Sequence, residues 1–537
     1  MRKRVAAVVA ALLASQAIAQ APPPPKLLVV IAVDQFSADL FDEYRPQFTR
    51  GLARLATGTV FRNGYQSHAT TETCPGHSTI LTGDHPTRTG IIANTWIDQS
   101  LARADKRVYC AEDPQAPGST HSDYTLSPSL LRVPTLGELA KARWPQSRNV
   151  AVSGKDRVAV MMSGHRTDQR WYWDGKSFAT DLASAPAPAS VAALNAALAR
   201  TIAAPAPALD PPPFCVAKAQ PIPVEGHAPV GAGRFARNAG DSVAFEDSPA
   251  LDGATLALAA ALVRELRLGQ GSAPAVLSIG LSATDLVGHA FGTQGQEMCL
   301  QLLALDWSLG DFLGVLDASG IDYAVALTAD HGGQDLPERL RGHGVTDAQR
   351  VDPGLGAVAM GKRIGAKLGL GGAVLLGGVE GDIYISRDLP PADRARVLDE
   401  ALRLYRAAPQ VEAVFTRDEI ARTPPPTASP ELWSLIERAR MSFDPERSGD
   451  LFVVLKKDVT PIGHVTSSVA THGSPWDYDR RVPILFWRPG FRGATVEAAA
   501  DTVDIMPTLA ALIDVPLAAG SVDGHCLEGT PALCPPR

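Results

Sequence analysis

The chain has 537 residues, 45% hydrophobic and 20% charged, with a formal net charge of −7. That length allows large apolar cores and suggests two to four domains. The acidic balance, with no long basic run beyond the N-terminus, disfavours nucleic acid as a binding partner, because neutralising a phosphate backbone needs clustered Lys and Arg.

Residues 1–19 read as a secretory signal: Arg2-Lys3-Arg4, then an apolar stretch, then Ala17-Ile18-Ala19 as the cleavage site. The stretch is shorter than the roughly 20 apolar residues a bilayer span needs, and no later segment is expected to serve. The expectation is an exported protein, periplasmic or secreted, with no membrane partner. Residues 20–26, holding four consecutive prolines, form a linker.

The first core segment is expected over 27–169. Its aliphatic run 27–33 reads as a buried parallel strand with Asp34 at its end. Next comes Thr71-Glu72-Thr73-Cys74-Pro75-Gly76-His77-Ser78-Thr79. Pro75 suits the first position of a helix, which places Thr73 at a helix N-terminus, where free N–H groups favour negative charge. Taken alone, such a threonine is more readily a plain helix cap. Asn94 follows in Ile92-Ala93-Asn94-Thr95-Trp96, by itself an ordinary turn asparagine. A strand at 150–153 leads into Ser153-Gly154-Lys155-Asp156-Arg157, with two cations just past its end.

Residues 170–248 are rich in Pro and Ala and read as a cap insertion. The core resumes over 249–350 with a helix at 256–266, a strand at 276–279, Asp285-Leu286-Val287-Gly288-His289, a helix at 296–316 and a strand at 324–327. Asp330-His331-Gly332-Gly333 follows that strand. A second insertion, 351–450, should contain a strand at 382–386, an amphipathic helix at 392–406 and a strand at 411–416. The last core segment, 451–515, holds His472-Gly473-Ser474, a buried parallel strand at 484–487 and a helix at 503–513. Residues 516–537 are a tail. His343 and His464 lie near the ligand motifs as competing histidines.

Six cysteines suit an oxidising compartment. Cys526 and Cys534 are expected to pair, Cys110, Cys215 and Cys299 can supply one further bridge, and Cys74 is expected to be a free thiol. Without a Cys-x-x-Cys pair, a thiolate zinc site is disfavoured.

The alternation of strands and helices predicts an α/β fold, a mostly parallel central sheet with helices on both faces, interrupted by cap segments. Chemistry in such folds collects beyond the carboxyl ends of the strands, where Asp34, Lys155, Asp330 and His331 fall. A hydroxyl among three Asp and three His suits a two-metal site for in-line displacement at phosphorus. Carboxylate combined with imidazole suits Zn²⁺.

Over about 27–515 these motifs resemble the alkaline phosphatase superfamily. The resemblance implies its fold and two zinc ions per chain. Asp34, Thr73, Asp330 and His331 would hold one ion; Asp285, His289 and His472 would hold the other. Asp504-Ile505-Met506-Pro507-Thr508-Leu509 is similar to the closing helix of that fold. Sulfatases carry Cys/Ser-x-Pro-x-Arg; here Thr73 stands at the oxidised position and His77 in place of the arginine, so that branch is disfavoured. Asn94 resembles the asparagine that donates to a phosphoryl oxygen in the phosphodiesterase and threonine-type phosphatase branches. Lys155 and Arg157 look like the Lys-x-Arg pair of the threonine-nucleophile, phosphate-irrepressible alkaline phosphatases, which meets the extra charged oxygen of a monoester. Nucleotide pyrophosphatases/phosphodiesterases lack that pair.

The implied activity is zinc-dependent hydrolysis of small-molecule phosphate monoesters at alkaline pH through a phosphothreonine intermediate. A phosphodiesterase or phosphonate monoester hydrolase of the same superfamily is the alternative. A catalytically silent binding ectodomain would need a broken ligand set, and no position is broken.

Overall fold

Leu27–Val33 places seven aliphatic residues in succession, and all seven are buried. Side chains alternate along a strand, so Leu27, Val29, Ile31 and Val33 enter one core while Leu28, Val30 and Ala32 enter another on the opposite face. Only a strand in the middle of a covered sheet can satisfy both. The computed structural model describes residues 23–183, 185–532 and 534; the signal segment expected at 1–19 lies outside these residues.

This strand pairs in parallel with Ala275–Leu281 on one side and Tyr323–Thr328 on the other. Asn149–Ser153 and then Gln169–Trp173 continue the parallel set. Beyond Tyr323–Thr328, Arg481–Trp487 joins antiparallel and pairs in turn with Thr59–Tyr65. Short strands at the margins complete a ten-stranded sheet. The mostly parallel α/β architecture is as expected. The run 484–487, expected to be parallel, is antiparallel: an aliphatic run buried on both faces looks the same in either direction. Gln169–Trp173 also carries sheet pairing into the first residues of the expected cap insertion.

Helices Pro249–Glu265 and Gln296–Ala318 cover one face, and Thr73–Thr82 and Ile505–Leu512 cover the other. Gln296–Ala318 is, against the sequence expectation, long and apolar enough to cross a membrane by length and composition. Here it packs within the core. Its buried Asp306 accepts from the backbone N–H of Thr49, Arg50 and Leu52 at 2.8, 2.9 and 2.7 Å, supplying the acceptors that the start of helix Gly51–Leu55 needs.

A second, antiparallel sheet is ordered Leu375–Gly377, Gly381–Ile385, Leu451–Leu455, Val411–Thr416. Helices Ala357–Leu368 and Pro391–Arg406 close a separate core with it. The strands expected at 382–386 and 411–416 and the helix at 392–406 correspond to Gly381–Ile385, Val411–Thr416 and Pro391–Arg406. Leu451–Leu455 comes from beyond the 351–450 segment, so this sheet is completed only as the chain returns to the core.

Cys526–Cys534 and Cys215–Cys299 are disulfides. Cys74 is bonded to Cys110, which corrects the expectation of a free thiol; no free cysteine remains among the described residues. Cys74 lies under the hairpin Thr95–Ile97/Arg107–Tyr109, a proximity that the 36-residue separation hides.

Candidate active site

Four parallel strands end at one edge of the sheet, and chemistry follows each. Asp34 comes directly after Leu27–Val33 and Lys155 shortly after Asn149–Ser153. Asp285 lies on Ala283–Phe291, the helix after Ala275–Leu281, and Asp330 and His331 follow Tyr323–Thr328. Because Arg481–Trp487 runs the other way, its amino end lies at this same edge, and the loop before it delivers His472.

These side chains converge. His331 Nε2 lies 3.3 Å from Asp34 Oδ1 and 3.2 Å from Asp330 Oδ2. His289 Nε2 and His472 Nε2 lie 3.2 and 3.4 Å from Asp285 Oδ1. Ligand atoms within 4.8 Å of one another define two groups, Asp34–Asp330–His331 and Asp285–His331–His472. His331 belongs to both and stacks on the His472 ring at 3.6 Å between centroids. The competing His343 and His464 are exposed.

Each of the three histidines has its ring set from behind. The Nδ1 atoms of His289, His331 and His472 lie 2.9, 2.8 and 2.9 Å from the carbonyls of Ala470, Gly332 and Thr71. A carbonyl can only accept, so Nδ1 carries a proton and Nε2 is the ring nitrogen that faces the carboxylates. This is the orientation that metal-ligating histidines adopt.

The charges are strongly coupled. Burial, then the Asp285 and Asp330 carboxylates, push Asp34 up to about 7. Burial also works against ionised Asp285 and Asp330, but His289 with Lys155, and His331 with His77, outweigh it and hold both carboxyls well below the usual range. Burial lowers His331, yet Asp330 outweighs it and pushes the ring up to about 10. The same burial, followed by the charge of His331, pulls His472 down to about 4. Three carboxylates in so small a volume call for cations.

Thr73 is the first residue of its helix, with Glu72 as N-cap and Pro75 two residues further in, still within the turn whose N–H groups lack helical partners. Its Oγ1 lies 3.4 Å from Arg157 Nη2. Asn94 Oδ1 accepts from Cys74 N–H at 2.7 Å, which fixes the amide and leaves its NH₂ group for another acceptor. Lys155 Nζ lies 2.5 Å from both Asp34 Oδ2 and Asp285 Oδ2, so it bridges the two ligand groups. Burial disfavours this ammonium, but Asp285 and Asp34 outweigh it and raise its pKa.

Three neighbours were not singled out as site residues by sequence reasoning. Gln35 donates its backbone N–H to Asp330 Oδ1 at 3.1 Å and its amide to Asp285 Oδ1 at 2.9 Å. A Cβ on Gly288 would come within 1.6 Å of Gln35 Oε1, which explains the glycine in Asp285-Leu286-Val287-Gly288-His289. Glu72 Oε2 accepts from Asn94 N–H at 2.5 Å. His77 Nδ1 lies 2.9 Å from the Thr73 carbonyl and 3.0 Å from Asp330 Oδ2, linking the Thr73 turn to the Asp34–Asp330–His331 group. All three sit in or beside the quoted motifs, which is the one signal that could have marked them.

The Cys74–Cys110 disulfide encloses Asn94, since Cys110 N–H donates to the Asn94 carbonyl at 3.0 Å while Cys74 N–H holds its side chain. The Cys74→Ala/Cys110→Ala variant is expected to lose about tenfold in kcat/KM on p-nitrophenyl phosphate, because a small displacement of a positioning group costs one to two orders of magnitude. A variant with unchanged kinetics would make this bridge purely a stabilising one.

A family model for type I phosphodiesterase / nucleotide pyrophosphatase matches residues 28–475. Alkaline phosphatase PhoK of Sphingomonas sp is 53% identical over 504 residues, covering 93% of this chain and 90% of its own. Alkaline phosphatase PhoD of Zymomonas mobilis subsp. mobilis is 48% identical over 514 residues, covering 94% and 88%. The crystal structure of wild-type alkaline phosphatase PafA matches with a TM-score of 0.80 at 25% identity, covering 94% of this chain and 98% of that one.

Proposed function

The chain belongs to the type I phosphodiesterase / nucleotide pyrophosphatase family of the alkaline phosphatase superfamily and is an alkaline phosphatase-type hydrolase, and from that premise we propose that it hydrolyses phosphate monoesters with Thr73 as the nucleophile. The observation that carries this reading is the position of Thr73. Its hydroxyl lies beside Arg157, and its carbonyl is tied through His77 to the Asp330 carboxylate of the ligand cluster.

The residues fit zinc. Asp34 Oδ1, Asp330 Oδ2 and His331 Nε2 are buried with no hydrogen bond of good geometry, each meeting only ion-pair neighbours within the cluster and His77, and buried polar atoms of this kind need a better partner. Their donor chemistry is that of zinc sites. Asp34, Thr73, Asp330 and His331 would hold one ion and Asp285, His289 and His472 the other. When bound, the ions supply positive charge to the transferring phosphoryl group and lower the pKa of a neighbouring hydroxyl.

The chain's own side chains then do the following. Thr73 Oγ1 gives up its proton and attacks phosphorus in line; the ester P–O bond breaks, and the alcohol leaves with a proton. Water hydrolyses the resulting phosphothreonine to inorganic phosphate. The Asn94 amide and the Arg157 guanidinium orient the non-bridging oxygens, and Lys155 adds charge on their side; positioning and charge stabilisation supply most of the catalysis in phosphoryl transfer. The disulfides suit an oxidising compartment, in keeping with export.

A second reading, diester hydrolysis, draws on the family description and on Lys155, whose ammonium is engaged by Asp34 and Asp285. Steady-state assays of p-nitrophenyl phosphate and bis-p-nitrophenyl phosphate separate the two. The wild type is expected to prefer the monoester, and Lys155→Ala/Arg157→Ala to lose about a hundredfold or more on it, as expected when charged transition-state donors are removed, with a much smaller loss on the diester. A diester preference untouched by the double substitution would establish the second reading.

A further inference from the structure

The short helix Asp477–Arg480, just before the antiparallel strand Arg481–Trp487, reaches both of the loops that deliver His331 and His472. The two peptide groups that follow His331 are held by consecutive backbone carbonyls of this helix. Gly332 N–H donates to the Asp479 carbonyl at 2.6 Å, and Gly333 N–H to the Tyr478 carbonyl at 3.1 Å. The second of these peptides includes the Gly332 carbonyl, the group that sets the His331 ring from behind. A Cβ on Gly332 would come within 2.1 Å of the Tyr478 carbonyl, so this close approach accounts for the glycine after His331.

The two peptide groups that follow His472 are held by the Asp479 side chain. Gly473 N–H and Ser474 N–H donate to Asp479 Oδ2 at 3.1 and 2.9 Å, and the Ser474 hydroxyl donates to the same oxygen at 2.6 Å. Gly473 has a φ of +120°, where glycine is the favoured residue, and its freedom leaves the turn dependent on what holds it. The far side of the turn is fixed to the segment before Thr73. Thr71 Oγ1 donates to the Ser474 carbonyl at 2.7 Å, and the Thr71 carbonyl faces His472 Nδ1. Asp479 is 1% exposed, so its carboxylate is a buried acceptor that meets three donors of one ligand turn.

We propose that Asp479 is a positioning residue for the metal pair: its carboxylate fixes the turn that carries His472, while its backbone carbonyl steadies the loop that carries His331. A carboxylate is a stronger acceptor than a neutral group, and the partners that orient metal-ligating histidines govern metal affinity. The inference rests on the two-ion reading above. It assigns the side chain to the ion that Asp285, His289 and His472 would hold. Substitution removes the carboxylate and leaves the backbone carbonyl, so the ion at Asp34, Thr73, Asp330 and His331 is spared. The reversed direction of Arg481–Trp487 makes the arrangement possible, because it brings the residues before this strand to the ligand edge.

The test withdraws Zn²⁺ from the loaded full chain with a competing chelator and counts the ions that remain, for the wild type, Asp479→Ala, Asp479→Asn and Ser474→Ala. Circular dichroism confirms that each is folded. The loaded wild type is expected to hold two ions. Asp479→Ala should hold one of them about ten- to a hundredfold more weakly, the usual size for a lost partner of a ligand histidine, and the other as the wild type does. Asp479→Asn keeps an accepting oxygen and should recover most of that affinity. Excess Zn²⁺ should restore most of the p-nitrophenyl phosphate activity of Asp479→Ala, which a general loss of structure would not allow. If Asp479→Ala does not fold, Ser474→Ala decides, since it removes the 2.6 Å contact alone; wild-type zinc affinity in it overturns the proposal. Equal affinities in Asp479→Ala and the wild type, or an equal loss at both ions, overturn the proposal alone. A wild type that takes up no zinc overturns the two-ion reading with it.

Discussion

Replacing Thr73 with alanine is expected to lower monoester turnover by about six orders of magnitude, the scale seen when a covalent nucleophile is removed. The folded protein should survive the change. The turn is held by backbone contacts that do not involve the hydroxyl: Asn94 Oδ1 on Cys74 N–H, and the Glu72 carbonyl on Gly76 N–H at 2.9 Å. A Cβ on Gly76 would come within 2.1 Å of the Asp330 carbonyl, so helix and ligand loop are in contact through backbone as well. Thr73→Ser keeps a hydroxyl and should retain a measurable rate. Acid-quenched enzyme incubated with ³²P-labelled monoester should carry label in the wild type and none in Thr73→Ala. Full turnover by the alanine variant would remove the covalent scheme.

Stripping metal with a chelator is expected to cost about a thousandfold or more in activity, with recovery on adding Zn²⁺. It should also lower the unfolding temperature, because a ligand that binds only the folded state stabilises it by mass action. The stability effect has an identifiable source. Asp34, Asp285 and Asp330 are buried together, and apart from histidines the ammonium of Lys155 is, among the described residues, the cation paired with Asp34 and Asp285. Elemental analysis of the reconstituted protein should find two zinc ions per chain. Since His331 lies within ligand distance of both groups, His331→Ala should reduce occupancy at both, whereas His289→Ala should affect one. Full loading of His331→Ala would contradict the assignment of that residue as a ligand.

Much of the site was legible in the chain because it is built from local spacings. Asp285 and His289 stand four residues apart on one helix, which puts them on one face, and their side chains meet at 3.2 Å. Asp34 and the Asp330-His331 pair end aliphatic runs, and strand ends are where this architecture gathers its chemistry. Neither the Gln35 contacts nor the bridging position of Lys155 could be read this way. Both depend on which strand lies beside which: Leu27–Val33 next to Ala275–Leu281, and that strand next to Asn149–Ser153.

The alternation of strands and helices, and the carboxylates and imidazoles that converge at the strand ends, were legible in the sequence itself, since burial on both faces demands aliphatic runs and those polar residues stand directly after them. The direction of Arg481–Trp487 was decided only in three dimensions. Its antiparallel pairing with Tyr323–Thr328 turns its amino end toward the ligand edge and so carries His472 to Asp285. Packing likewise decided that Cys74 meets Cys110, and that Leu451–Leu455 lies between Gly381–Ile385 and Val411–Thr416. In each case the outcome is a contact between segments distant in the chain. The periodicity of a segment records how deeply it is buried, and it carries no mark of the partner that buries it.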